Sequence, residues 1–449
     1  MLKYKKSDHP IPTERSGILN DQFVIQTIDE GFRVCSYETD RFKTGILSVN
    51  LVLPLSGNIA EKAMLPTLLC ASCKAHPDLL SMNRTLAGLY GADLAPSVAK
   101  HGENLVLRLS MTQICDRFAL EGESLSLECA KLLCSALFEP NVTDGAFDAG
   151  EVEREKRIML DRLEAQKNNK RAYAMKQMIE LMCADEAFSL SALGTEEDIR
   201  ALTPEQLYAS WQDLLRSAFV QLQIVGDLQV EAITDLFCSY FDRVEGRSVR
   251  RGQTQVLPTA AAPKRGGEEE DVRQSKLVLG FRCGMTEPFE NYAAVRTFAD
   301  LYGGGTYSRL FLNVLEKQSL CYYCSARFLG AKGILTVQSG IETENAEKAE
   351  AEILRQLDEM REGGVTEEDL QKSHRSLREY YLSVFDTPEE LDGWFYSQVT
   401  DDEFQTPEEL VDELQAVTVD EVVAVAEAVT LDTVFLLKGT GDGPETEED

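Results

Sequence analysis

The stretch that decides the fold is residues 301–328, which read LYGGGTYSRLFLNVLEKQSLCYYCSARF. A helical pattern leads into the three glycines, a second helical segment ends near Lys317, and a strand-like run begins at Cys321. The glycines do not follow a strand, and no Gly-Lys-Ser/Thr comes after them as in a phosphate-binding P-loop. The stretch therefore predicts two helices joined by a glycine turn and then a strand, not a nucleotide site.

The elements around this stretch repeat those of the first half of the chain. In each half a strand-like run precedes a helix, further strands follow, and then come two long helices with a Val-Thr pair between them. Thr143 and Thr366, in these pairs, are predicted N-caps. The repeated order at a near-constant offset predicts a duplicated α+β domain. The matched strand and helix segments are 46–55 with 277–281, 61–75 with 290–302, and 105–111 with 333–341.

A segment of Gly, Pro, small residues and charge blocks runs from Glu245 to Asp271 and divides the chain. We therefore predict an N-terminal domain over 1–244, a linker over 245–271, a C-terminal domain over 272–440 and an acidic, disordered tail over 441–449.

The 449 residues carry a net charge of -31, which repels nucleic acid and anionic membranes and attracts a basic peptide or partner. No run approaches the ~20 apolar residues of a membrane span. Residues 1–31 lack the apolar core of a secretory signal. Eleven cysteines, an odd number, fit reduced thiols better than a disulfide framework. Together these features predict a cytoplasmic protein.

The glycine stretch resembles the second domain of the pitrilysin (insulinase) metallopeptidases. That family carries a Gly-Gly-Gly turn, a Ser-Arg-Leu-Phe helix start, and then Arg-Glu-Lys, Leu and Tyr. Segments 152–165 and 194–207 are similar to the family more weakly. The resemblance implies two repeated α+β domains, each an antiparallel sheet covered by helices, as in mitochondrial-processing-peptidase-like metallohydrolases. The matching positions are Gly303 to Gly305, Ser308 to Phe311, Glu316, Lys317, Leu320 and Tyr322.

The zinc motif of the active family members is missing. Those members hold Zn²⁺ with His-x-x-Glu-His and a more distant Glu, and the motif Glu activates the bound water. The four histidines here, His9, His76, His101 and His374, include no pair at that spacing. Alignment of the early helix places other residues at the three motif positions, namely Pro66, Leu69 and Cys70. Glu153 resembles the third ligand but is predicted to be a helix-surface acid. The chain is therefore predicted to have no catalytic residues, no metal and no cofactor.

A second departure concerns substrate binding. In the family the Arg of Arg-Glu-Lys and the later Tyr bind the substrate main chain and steady the developing oxyanion. Leu315 replaces that Arg here, whereas Tyr322 remains. Tyr322 is thus the one candidate substrate-binding residue, with a structural tyrosine as the alternative. Arg309 or Arg282 could substitute for the missing arginine.

Two Cys-x-x-Cys pairs, Cys70 with Cys73 and Cys321 with Cys324, would form a Cys₄ zinc site if they came together. The first lies in a helical pattern and the second in a strand-like run, so buried free thiols are the favoured interpretation.

Three functions follow from the resemblance and the missing ligands. The first is an inactive subunit that forms a heterodimer with an active zinc-peptidase homologue, closes its chamber and binds peptide. Within the family the chain looks like the zinc-free member of a bacterial pair associated by name with modification of translation elongation factor P. The second is a stand-alone scaffold or peptide-binding protein. The third is a thiol-dependent hydrolase that uses Cys70 or Cys321, with His76 near Cys70 in sequence.

Overall fold

The structure, a computed structural model, describes residues 23–440. The predicted tail 441–449 and the first 22 residues lie outside the described residues. The strands of the first half are β1 (Phe23–Asp29), β2 (Phe32–Tyr37), β3 (Thr44–Pro54), β4 (Asp93–His101), β5 (Asn104–Ile114), β6 (Val142–Thr143), β7 (Ala146–Phe147) and β8 (Phe219–Val225). Its helices are α1 (Ile59–Ala71), α2 (Leu79–Gly88), α3 (Leu125–Phe138), α4 (Ala149–Asn168), α5 (Lys170–Met182), α6 (Glu196–Ala201), α7 (Pro204–Ser217) and α8 (Val230–Phe241).

The second half contains fewer elements. Its strands are β9 (Lys264–Glu270), β10 (Ser275–Arg282), β11 (Tyr323–Leu329), β12 (Ile334–Ile341) and β13 (Thr430–Gly439). Its α-helices are α9 (Tyr292–Gly303), α10 (Ala346–Arg361), α11 (Glu367–Leu382), α12 (Pro388–Ser397), α13 (Pro407–Ala416) and α14 (Val419–Ala428), with a π-helical segment at Phe311–Lys317.

The two sheets share one strand order. The first sheet runs β4-β5-β3-β8-β2-β1 and the second runs β11-β12-β10-β13-β9. Starting from β4 and from β11, each sheet has three antiparallel pairs followed by one parallel pair, β8 with β2 and β13 with β9. Strand β1 has no counterpart. The predicted α+β fold with a repeated sheet is thus confirmed, although each sheet contains one parallel pair and is not wholly antiparallel.

The helix starts follow their capping residues. Thr366 is the N-cap of α11, as predicted, and forms a reciprocal capping box with Asp369. The prediction for Thr143 is wrong, because the chain turns back at Asp144 and Gly145, both with positive φ, to form the β6–β7 hairpin. Helix α4 therefore starts later and is capped by Asp148.

The predicted linker, residues 245–271, includes a strand of the second sheet. Residues 264–270 form strand β9, which pairs in parallel with β13 at the edge of the second sheet. This strand reads KRGGEEE and lacks the apolar alternation of a half-buried strand, so no hydrophobic pattern marks it.

Each half lends a helix to the other half's sheet. Helix α5 of the first half packs on β10 and β13, with Met178 and Met182 in one cluster with Val278 and Phe435. Helix α12 of the second half packs on β3 and β8. Helix α5 follows the long helix α4, and α12 follows the long helix α11. The two exchanged helices therefore occupy equivalent positions in the two repeats.

Buried ions reinforce this exchange. Arg282, on β10, donates to Glu186 at 2.6 Å and to Asp432 at 2.8 Å. Lys332 is paired with Glu186 at 2.6 Å and with Glu103 at 2.5 Å. Burial disfavours the charged guanidinium, but the hydrogen bonds to Glu186 and Asp432 prevail and raise the pKa of Arg282. The two halves are therefore joined as one body by packing and by charge.

Within residues 23–440, no helix has the length and apolar character needed to cross a bilayer.

Candidate functional site

Helix α1 carries the three positions that align with the zinc motif of the family that the sequence resembles. Its N-cap is Asn58, whose side chain accepts from the backbone of Glu61. Pro66 lies inside the helix, where it removes one backbone hydrogen bond. Pro66 and Leu69 are buried and offer no donor atom to a metal.

Of the residues at the three motif positions, only Cys70 has a side-chain atom that can bind zinc. Its side chain is buried, and burial, with a smaller contribution from the charges of Asp93 and Glu155, raises the pKa of the thiol. A protonated buried thiol is a poor nucleophile and a poor zinc ligand. Across the described residues, no cluster of three or more His, Cys, Asp or Glu side chains is arranged to hold a metal ion.

Glu153 points away from α1. Its side chain is 68% exposed and is paired with Lys156 at 2.7 Å. The acids that face inward are Glu151 and Glu155, one turn apart on the buried face of α4. Ser72, which follows α1, donates to Glu151 at 2.7 Å. Val152 and Met159 are also buried, and their seven-residue spacing places them on the same face of α4. This spacing could have identified Glu151 and Glu155 as the inward-facing acids from the sequence.

A cleft of about 570 Å³ lies between α1, the edge strand β4 and the end of α4. Strand β4 pairs only with β5, so its other edge is open within the sheet, and Pro96 lies on it as is typical of edge strands. The lining residues are apolar or uncharged except for Arg162. Such a cleft can receive an extended peptide, but its lining offers no metal ligand set and no general base. The residues lining it are Pro66, Thr67, Pro96, Ser97, Val98, Arg162, Ala165, Gln166, Asn169, Ala172, Ala192 and Leu193.

The first turn of α5 connects this cleft to the second sheet. Asn169 and Ala172 line the cleft, whereas Arg171 between them lies over the ring of Tyr323 at 4.3 Å. Arg171 also donates to Gln338 on β12 at 3.2 Å. The cleft and the start of edge strand β11 are therefore neighbours on the molecule.

Tyr322 stands immediately before β11. Its side chain is 57% exposed, and its hydroxyl donates to the carboxylate of Glu342. Its backbone N–H donates to Gly340 at 2.8 Å, which continues the β11–β12 ladder by one residue. The phenol is thus accessible to a ligand and held at one end by an acid.

Neither alternative arginine takes the place of Leu315. Arg282 is buried among its carboxylates. Arg309 donates to the carbonyl of Gly364 and lies 3.7 Å from Asp369. Leu315 itself lies half-buried in the π-helical segment. The substrate-anchoring arginine of the family therefore has no counterpart at this position.

The glycine turn positions β11. Gly303 ends α9, and a Cβ on it would lie 2.5 Å from the backbone nitrogen of Ala326. Only glycine lets α9 approach the edge strand this closely. The turn thus has a packing role, in agreement with the absence of a P-loop pattern.

The two Cys-x-x-Cys pairs belong to different cores. Cys70 and Cys73 lie in the core of the first half, and Cys324, with Cys321 packed against it, lies in that of the second. The hypothetical Cys₄ zinc site is therefore wrong. The Nδ1 atom of His76 contacts the hydroxyl of Thr85 at 3.1 Å, and the hydrogen bonds of the described residues include none between His76 and Cys70.

Comparison with known proteins agrees with this geometry. Residues 201–377 match the family model described as the peptidase M16 inactive domain. The chain is 30% identical over 404 residues to "Probable inactive metalloprotease YmfF" of Bacillus subtilis, an alignment that covers 90% of this chain and 95% of that protein.

Three solved structures share the fold. A conserved protein from Enterococcus faecalis superposes with a TM-score of 0.83 and 25% identity, over 94% of this chain and all of that one. The periplasmic protease PqqL of Escherichia coli matches with a TM-score of 0.65 and 14% identity, over 94% of this chain but only 46% of PqqL. The first half of PqqL alone is covered to 94%, with a TM-score of 0.69.

The chain belongs to the M16 peptidase family, the pitrilysin family that its sequence resembles. Within that family it is a homologue of the inactive kind, with Pro66, Leu69 and Cys70 at the zinc-motif positions.

Proposed function

We propose that this protein is the non-catalytic subunit of a heterodimeric zinc peptidase, with an active M16 homologue as its partner. The observation that carries the proposal is that the chain is one joined body that matches half of a larger protease. Its two halves exchange α5 and α12 and share the Arg282 ion cluster, so they do not form a clamshell on their own. The alignment over 46% of PqqL supports a second unit of similar size as the missing half.

The subunit contributes the chamber wall and peptide binding. An extended peptide adds to the open edge of β4 through main-chain hydrogen bonds, and its side chains enter the cleft beside α1. Tyr322 contributes a hydroxyl near the edge of the second sheet. The net charge of -31 favours basic peptides over nucleic acid or anionic membranes. A cytoplasmic setting is part of the proposal.

The experiment is co-expression with the homologue of the same host that carries His-x-x-Glu-His. The proposal predicts a 1:1 complex by light scattering after size exclusion, and peptide cleavage that needs both chains. A partner variant with Gln in place of the motif Glu is the control, and it should form the complex without activity. Failure to form any complex, with this chain still binding peptides alone, would instead support the stand-alone scaffold.

A further inference from the structure

A hollow opens where the ends of α3 and α8 meet α7. Its volume of about 400 Å³ lies within the range of small-molecule sites. Its lining shares no residue with that of the cleft beside α1. The hollow is therefore a separate place for a ligand, and the proposed subunit role gives it no task.

Three aromatic rings line the hollow, and the fold orients each of them. Phe138 and Tyr240 are stacked with their ring centroids 5.1 Å apart, and Phe138 meets the buried Phe241 edge-on at 4.8 Å. The indole N–H of Trp211 donates to the carbonyl of Leu137 at 2.8 Å. Phe138, Trp211 and Tyr240 are only half-buried, so part of each ring remains accessible. Rings held in this way can receive a further flat ring by offset stacking or edge-to-face contact.

Two arginines bring positive charge to the rim of the hollow. Arg216 and Arg243 both line it, and both are exposed. The guanidinium of Arg243 lies 4.9 Å from the centroid of the Tyr240 ring, so a cation–π contact holds it beside the aromatic rings. Within residues 23–440, neither guanidinium has a carboxylate at salt-bridge distance, whereas Arg250 is paired with Asp213 at 2.5 Å. The N–H groups of both arginines are therefore available to an anion.

Two acids on the same rim restrict the charge of the ligand. Glu139 and Glu245 also line the hollow, so its four charged side chains sum to zero. A phosphate ester or a dicarboxylate would bring a second negative charge close to these acids, which is unfavourable. A single carboxylate can form parallel hydrogen bonds with one guanidinium without that cost.

We propose that this hollow binds an aromatic amino-acid group with a free α-carboxylate. The aromatic side chain of the ligand lies among Phe138, Trp211 and Tyr240, and its carboxylate accepts from Arg243 at the rim. Two sources carry this chemistry, namely a free aromatic amino acid and the C-terminal residue of a peptide. The proposal does not depend on a partner subunit, because binding is measured on this chain alone.

The test is isothermal titration calorimetry of the folded full-length protein with L-phenylalanine, with the dipeptide alanyl-phenylalanine, and with phenylalanine amide, which lacks the carboxylate. We expect 1:1 binding of at least one of the first two probes with a dissociation constant below about 1 mM. The amide should bind at least roughly tenfold more weakly. Binding of the amino acid supports a free amino acid as the source, and binding of the dipeptide alone supports a peptide end. Binding of neither, or equal binding of the amide, would overturn the proposal.

A pair of variants separates the site from the effect of net charge. Arg243→Gln should weaken binding of the better probe at least roughly tenfold, because it removes the charge-assisted hydrogen bonds. The matched control is Arg84→Gln, since Arg84 is an exposed arginine on α2, outside the hollow, that likewise has no carboxylate partner in the described part of the chain. Equal weakening by the two substitutions would contradict the proposed site. Circular dichroism establishes that each variant is folded before its result is used.

Discussion

Replacing Glu186 with alanine should loosen the whole molecule, because this carboxylate lies where the two halves meet. It accepts from Arg282 at 2.6 Å and from Lys332 at 2.6 Å, and both cationic side chains are 1% exposed. Removing one partner of a buried ion pair costs about 3–5 kcal/mol, since it leaves a charge desolvated and uncompensated. Arg282 keeps Asp432 and Lys332 keeps Glu103, so we expect a loss near the lower end, about 3 kcal/mol.

The assay is urea unfolding at pH 7 followed by tryptophan fluorescence. Of the two tryptophans, Trp211 on α7 reports on the first half, and Trp394 on α12 reports on the junction at which the second half packs on the first, each through a single-tryptophan variant. Both probes should give coincident transitions, shifted together in Glu186→Ala. The matched control is Glu196→Ala, which removes an exposed i,i+4 pair with Arg200 and should leave the unfolding midpoint close to that of the wild type. A loss below about 1 kcal/mol, or wild-type transitions that separate between the probes, would refute the account of the two halves as one body.

The remaining predictions concern the candidate site, pH and a helix cap. Tyr322→Ala should weaken binding of a basic peptide at least roughly fivefold by fluorescence anisotropy, whereas Tyr380→Ala, at a 62% exposed tyrosine, should not; equal effects would contradict the assignment. Burial raises the pKa of Asp401 to about 7, so the folded state holds more protons than the unfolded chain between about pH 4 and 7 and loses stability as the pH rises through this window. Asp401→Asn should abolish roughly 2 kcal/mol of the decrease in unfolding free energy across this pH window, measured in melts at different pH values, and an unchanged decrease would show the assignment to be wrong. Thr366→Ala should cost about 1 kcal/mol as the loss of an N-cap, and Thr143→Ala clearly less; the reverse order in urea melts would contradict the cap assignment.

Much of the fold was predictable because it rests on local patterns. The apolar runs that become β3, β10 and β13 alternate or run continuously, and Thr366 precedes three acids in the first turn of α11. Strand β9 was not predictable, since it gains its place through pairing with β13 and not through buried side chains of its own.

The candidate site shows the same division. The loss of the zinc motif is a matter of residue identity, so sequence alone revealed it at Pro66 and Leu69. The exchange of α5 and α12 and the partnership of Arg282 with Glu186 depend on contacts between distant parts of the chain, which no local pattern encodes. Arg282 therefore looked like a possible ligand-binding residue in sequence and proved to be structural.

The measurement that tests the central claim most directly is the zinc content and peptidase activity of the isolated chain. After dialysis against micromolar zinc, atomic emission should find far less than one equivalent bound, and incubation with a library of basic peptides should give no cleavage. One tightly bound zinc per chain together with chelator-sensitive proteolysis by the chain alone would contradict the account.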